Sequence, residues 1–136
     1  MTTELAIQEE IKEAHVPVTV FRLTGDIDGL TYEQLQNRAV EAYQSGTRNL
    51  LLDLSRVSYM SSAGLRALNT IFNLLRSEAS KESDRSMTRG IREGTFKSSN
   101  LKLLHPSNNV LKVLKTSGMD MFLDIYSKEA DALAAF

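Results

Sequence analysis

Apolar residues fall along this chain in short runs of two kinds. Some alternate with polar neighbours or fill a brief stretch, as in strands, and others recur every three or four positions, as in helices. Leu5, Ile7 and Ile11 alternate loosely, which predicts an edge strand over residues 4–12. Val16-Pro17 marks a turn, because proline donates no ladder hydrogen bond and fixes φ. Val18 to Leu23 is rich in β-branched and aromatic residues and predicts a second strand. The run Gly25-Asp26-Ile27-Asp28-Gly29 closes it with turn chemistry.

Thr31 followed by Gln34 has the form of a capping box. Leu35, Ala39, Ala42 and Tyr43 then recur at helical spacing, and Gly46 ends the helix. Asn49 to Leu54 contains three consecutive leucines. Such a strand is apolar on both faces, as expected inside a sheet covered by helices. A helix carrying Leu65, Leu68, Phe72 and Leu75 on one stripe begins near Ser61 and Ser62. After a polar stretch the pattern resumes. A short strand is predicted at Leu101–Leu104, and a helix at Ser107–Ser117 with Val110, Leu111 and Leu114 inward, stopped by Gly118. A last strand is predicted at Met121–Ile125. Ser127 then caps a terminal helix with Ala130, Leu133 and Ala134 on one side.

The order is β, β, α, β, α, loop, β, α, β, α, with no internal repeat. It predicts a sheet with substantial parallel pairing and helices packed against it. With 136 residues this is one domain, able to build a single core without disulfides or metal. Residues 77–100 interrupt the pattern: they are polar, of mixed charge and nearly free of aliphatics, and predict a long mobile insertion.

Composition narrows the function classes. The net charge is −1, so no global field draws the chain to nucleic acid or to an anionic membrane. The absence of cysteine excludes thiol catalysis and cysteine-based metal sites. The N-terminal MTTELAIQEEIKEA is acidic and does not read as a signal peptide, and no run approaches the length of a membrane span. The expectation is a soluble cytoplasmic domain.

No catalytic constellation stands out. His15 and His105 are far apart and lack a surrounding partner motif. Walker, dinucleotide-binding, nucleophile-elbow and paired-histidine motifs are all missing. Asp26 and Asp28 fit an Asx-type turn better than a metal site. Neither metal nor cofactor is expected.

The segment DLSRVSYMSSAGLRAL, Asp53 to Leu68, is the most informative. A buried strand runs into a serine pair and then into an amphipathic helix. The helix start offers free N–H groups and the positive end of the dipole, which suit a phosphate. Serine there is also an ordinary N-cap. Gly64, just inside the helix, costs about 1 kcal/mol relative to alanine. That cost points to close approach of another chain to the backbone, with Met60, Ala63 and Gly64 as a soft docking surface.

With these residues in view, the chain resembles a STAS domain, the sulphate transporter and anti-sigma factor antagonist module. It is more similar to the free-standing bacterial antagonists than to the transporter tails. FRLTGDID, Phe21 to Asp28, is similar to the family's second strand and turn, and DLSRVSYMSSAGLRAL to its signature strand-to-helix segment. LKLLHPSNNVLKVLKTSGMDMFLDIYSKEADALAAF is similar to its C-terminal strand, helix, strand and helix. The resemblance implies an α/β STAS fold: a mixed sheet of about four to five strands, with about four helices packed mainly on one face.

It also implies a regulatory, non-enzymatic role. The unmodified protein would bind an anti-sigma factor with serine kinase activity and so free the sigma factor. Phosphorylation would switch binding off, and a PP2C-type phosphatase would reverse it. The family's acceptor serine, two residues before the motif glycine, falls on Ser62, with Ser61 as the alternative. The implied partner-facing residues are Asp26, Asp28, Met60, Ser61, Ser62, Ala63, Gly64, Leu65 and Arg66. Arg66, one turn after Ser62, is placed to pair with a phosphate. No direct nucleic acid or membrane partner is implied, and a weak homodimer is allowed. The alternative is a STAS scaffold or small-ligand sensor with no phosphorylation cycle.

Two features depart from the family pattern. Many members carry Asp before the acceptor serine, where this chain has Ser61. The 77–100 insertion is longer than usual; its Ser86 and Thr88, near Arg85, are further candidate phosphosites.

Overall fold

The sheet is built in chain order, β1-β2-β3-β4-β5, so each strand pairs with its neighbours in sequence. The computed structural model describes residues 4–76 and 98–136. The strands are β1 (Ala6–Glu13), β2 (Pro17–Thr24), β3 (Leu50–Arg56), β4 (Leu101–Leu104) and β5 (Asp124–Tyr126). Among the described residues the helices are α1 (Tyr32–Gln44), α2 (Ser62–Leu75), α3 (Asn108–Ser117) and α4 (Glu129–Ala134), with a 3-10 turn at Met119–Met121. Among the described residues only β1 and β2 pair antiparallel; β2 to β5 are parallel. This is the mixed α/β architecture expected.

The hairpin turn spans residues 14–16, and Pro17 opens β2 rather than sitting in the turn. A proline as first residue of a strand forfeits no interior ladder bond. The parallel strands carry side chains alternately to two faces. Leu50, Leu52 and Leu54 of β3 join the main core with Phe21, Leu23, Leu101 and Leu103. That face is covered by α1, α2 and α3 through residues such as Leu35, Leu68, Ile71 and Val110. The other face is smaller: Val18, Val20, Leu51 and Leu104 pack under Ala132 of α4, with Leu133 and Phe136 beside it. The inward residues of the last helix are therefore Ala132, Leu133 and Phe136, while Ala130 and Ala134 are exposed.

Several local expectations are corrected. The capping box does not form. Thr31 is buried and makes no side-chain cap bond, and Gln34 turns to bond the backbone of Leu5. The last strand begins at Asp124, because residues 119–121 coil into the 3-10 turn. Lys128, not Ser127, precedes the last helix. By contrast, Ser107 caps α3 by accepting from the Val110 N–H at 3.3 Å, and Gly118 ends it at φ 82°, a left-handed conformation favoured by glycine. Of the polar insertion, residues 77–97, with Arg85, Ser86 and Thr88, lie outside the described residues.

One cation ties the thinner face together. Arg22 of β2 donates to Glu10 of β1 at 2.6 Å, to Asp53 of β3 at 3.0 Å and to Glu129 of α4 at 2.5 Å. Burial pushes the Asp53 carboxyl up. Hydrogen bonds from the Ser55 hydroxyl and amide and from Arg22 outweigh it and hold the group below its usual range. Glu10 is likewise lowered, chiefly by its bond from Arg22.

Candidate functional site

The parallel strands all end on one side of the sheet, and the two loops that matter leave from there. The first, residues 25–31, follows β2. Asp28 Oδ1 accepts from the Leu30 N–H at 2.9 Å, an Asx turn. The Thr31 hydroxyl accepts from the Asp28 N–H at 3.0 Å and donates to the Asp26 carbonyl at 2.8 Å. The hydroxyl read as a helix cap thus braces the turn instead. Asp28 is half-buried and used by the turn; Asp26 is exposed.

The second loop, residues 57–61, joins β3 to α2. It is stitched to the first by an isolated parallel bridge between Ile27 and Met60. Ile27 donates to the Tyr59 carbonyl at 3.0 Å, and its own carbonyl accepts from the Ser61 N–H at 2.9 Å. Ile27 and Met60 are both fully buried beneath this junction. The acidic turn and the serine pair are therefore one connected unit.

The two serines have different jobs. Ser61 is the N-cap of α2: its backbone is extended and its Oγ accepts from the Ala63 N–H at 3.2 Å. Ser62 is the first helical residue and is exposed. Its hydroxyl has no hydrogen-bond partner among the described residues. Arg66 is exposed one turn on, and Leu65 is half-buried against the core.

Met60, Ala63 and Gly64 were expected on a soft docking surface, yet all three are buried. Gly64 has a local reason to be glycine. A Cβ there would lie 2.6 Å from Met60 Cγ and 2.8 Å from the Ile27 carbonyl oxygen. The close approach is made by this chain's own turn, not by another chain. What remains on the surface is Asp26, Ser62 and Arg66, with part of Asp28, Ser61 and Leu65, together with two residues the sequence did not single out. Leu30 is 76% exposed and Tyr59 51% exposed. Nothing in the sequence distinguishes an apolar loop residue that stays out from one that folds in.

The histidines stand apart from this site. His15 is exposed in the hairpin turn. His105, at φ 53°, is exposed beyond β4 beside a shallow hollow lined by Asp53, Ser55, Ser127 and Glu129. Among the described residues no cluster of three or more histidines and carboxylates is arranged to hold a metal ion, and no helix is long and apolar enough to cross a membrane.

A family model for the STAS domain matches residues 8–81, more than half of the 136 residues. The chain belongs to the STAS domain family. Solved structures with the same fold include an anti-sigma factor antagonist from Mycobacterium paratuberculosis, at 19% identity and TM-score 0.71, covering 96% of this chain and 92% of that one. The Bacillus cell fate determinant SpoIIAA in its phosphorylated form is similar at 23% identity and TM-score 0.61, over 93% of this chain and 96% of that one. An anti-sigma-factor antagonist (STAS) domain protein from Planctomyces limnophilus matches at 18% identity and TM-score 0.61, over 97% of both chains. Among curated proteins, none matches. The matched residues include the strand-to-helix junction that carries Ser61, Ser62 and Gly64.

Proposed function

We propose that this STAS domain is an anti-sigma factor antagonist whose binding surface is switched by phosphorylation of Ser62. In its unmodified form it binds an anti-sigma factor with serine kinase activity and frees the sigma factor. Phosphorylated, it lets go, and a PP2C-type phosphatase resets it. The domain itself is a substrate and a binding module, not an enzyme. The observation that carries this reading is the contrast within the serine pair: Ser61 Oγ is engaged as the helix cap, while Ser62 Oγ is exposed and unbonded among the described residues.

The physical argument is a charge switch. A phosphoserine carries about −1.5 to −2 charges at neutral pH. At the first residue of α2 it meets the positive end of the helix dipole, with Arg66 one turn away as a pairing cation. The fold therefore tolerates the phosphate. A partner packed over Ser62 does not, because it must desolvate a dianion.

The experiment is phosphorylation by the serine-kinase anti-sigma factors of the source genome with ATP, read by intact mass and by site mapping. One phosphate on Ser62 is expected, lost on treatment with a PP2C-type phosphatase. Ser62→Asp should weaken binding to the kinase and Ser62→Ala should retain it. A phosphate on Ser61, or equal binding by both variants, overturns the assignment.

A further inference from the structure

Four large apolar side chains stand exposed among the described residues, and they divide between the two ends of the sheet. Ile11 pairs opposite Thr19 near the start of β2, and Met121 precedes β5, so both lie at the amino end of the parallel strands. Leu30 and Tyr59 lie at the carboxyl end, on the two loops that flank Ser62. Single exposed apolar residues are ordinary. This pair is different in how it is held.

Leu30 is fixed by the Asx turn, through its N–H to Asp28 Oδ1. The Tyr59 carbonyl accepts from Ile27, and Ile27 in turn accepts from Ser61. Tyr59 is three residues from Ser62, so their Cα atoms are at most about 11 Å apart. The side chains are thus presented on braced backbone, which reduces the ordering cost of burying them against a partner. Asp26, Arg56 and Arg66 are exposed charges on the segments at the same end of the sheet.

We infer that Leu30 and Tyr59 are the apolar anchors by which the serine-kinase anti-sigma factor holds this domain. This rests on the partner reading given above and deepens it. The loops that carry both side chains are bridged to each other beside Ser62, at one end of the sheet, so one occupant can meet the anchors and the acceptor serine together. Ser62 then acts as the switch, and the anchors supply the affinity that the switch cancels. Truncating a well-packed anchor of this size typically weakens binding about tenfold or more.

The test uses the whole domain with the purified serine-kinase anti-sigma factors of the source genome. Dissociation constants are measured by titration calorimetry for wild type, Leu30→Ser, Tyr59→Ser, Ile11→Ser and Met121→Ser. The first two variants should bind about tenfold or more weakly, and the two from the opposite end should match wild type. Phosphorylation kinetics should show KM raised and kcat unchanged for Leu30→Ser and Tyr59→Ser, as expected when uniform binding is lost. Wild-type affinity in Leu30→Ser and Tyr59→Ser overturns the anchors while leaving the partner reading intact, and so does equal loss in all four variants. A wild-type domain that binds none of these kinases overturns the partner reading and the anchors together.

Discussion

The carbonyl oxygen of Ile27 stands where a side chain on Gly64 would begin, 2.8 Å from the position of its Cβ. That oxygen also accepts from the Ser61 N–H, so it cannot swing aside without breaking the junction between the turn and the helix. Glycine at this point is a packing requirement of the site's own scaffold.

Gly64→Ala is therefore expected to destabilise the fold despite alanine's better helix propensity. Overpacking costs about 1–3 kcal/mol, and about 2–3 where the obstacle is a backbone oxygen held by its own hydrogen bond, while the propensity gain returns about 1. A net loss of about 1–2 kcal/mol should appear in urea unfolding with an unchanged m-value. Unchanged or raised stability would show that the Ile27 turn gives way easily.

The serine pair makes opposite predictions at adjacent positions. Ser61→Ala removes the cap of α2 and should cost about 1 kcal/mol, while Ser61→Asp keeps an N-cap acceptor and should hold stability near wild type. Ser62→Ala removes an exposed, unbonded hydroxyl and should change stability by less than about 0.5 kcal/mol. Denaturant midpoints of the three variants decide the matter. A larger loss at Ser62 than at Ser61 would reverse the assignment of cap and free hydroxyl.

Periodicity carried the fold far because the helix-covered sheet imposes strong patterns. The triple leucine of β3 and the Gly118 stop of α3 are physical necessities visible in one dimension. The site was harder to read. Its serines and acids lie in one short segment each, but the bridge that joins them is made by the backbones of Ile27 and Met60, which any residue can supply. The burial of Met60 and Ala63 is not legible in the sequence, because small or soft residues suit both a core and a surface. Thr31 and Gln34 matched a capping box but were drawn into tertiary bonds, with the 26–28 turn and with Leu5. Leu30 and Tyr59 carried no signal, since exposure of an apolar loop residue is set by what the fold leaves uncovered.

Thr31 offers a direct check on the brace. Its hydroxyl, buried at 2% exposure, serves the Asp28 N–H and the Asp26 carbonyl at once. Thr31→Val keeps the shape and strands both groups, which should cost about 1–3 kcal/mol. Hydrogen exchange should rise at Asp28 and Leu30 beyond the global change. Uniform exchange would mean that the turn is held by the backbone alone.

The Arg22 cluster predicts how stability responds to acid. Asp53 and Glu10 both titrate below their ordinary values in the folded protein. Groups depressed in this way stabilise the fold above their unfolded values of about 4, and that stabilisation is lost as pH falls through the folded values. The unfolding midpoint should hold from pH 7 to about 5 and fall below about 4. Asp53→Asn should lower stability at pH 7 and flatten the acid decline, because its neutral amide has no proton to take up. Glu10→Gln should do the same more weakly, since 40% of the Glu10 side chain is exposed and its pairing is screened by water. Urea midpoints at pH 7 and pH 3.5 compare the three proteins. An Asp53→Asn variant that declines in acid as steeply as wild type would place the acid sensitivity outside the cluster joining β1, β2, β3 and α4.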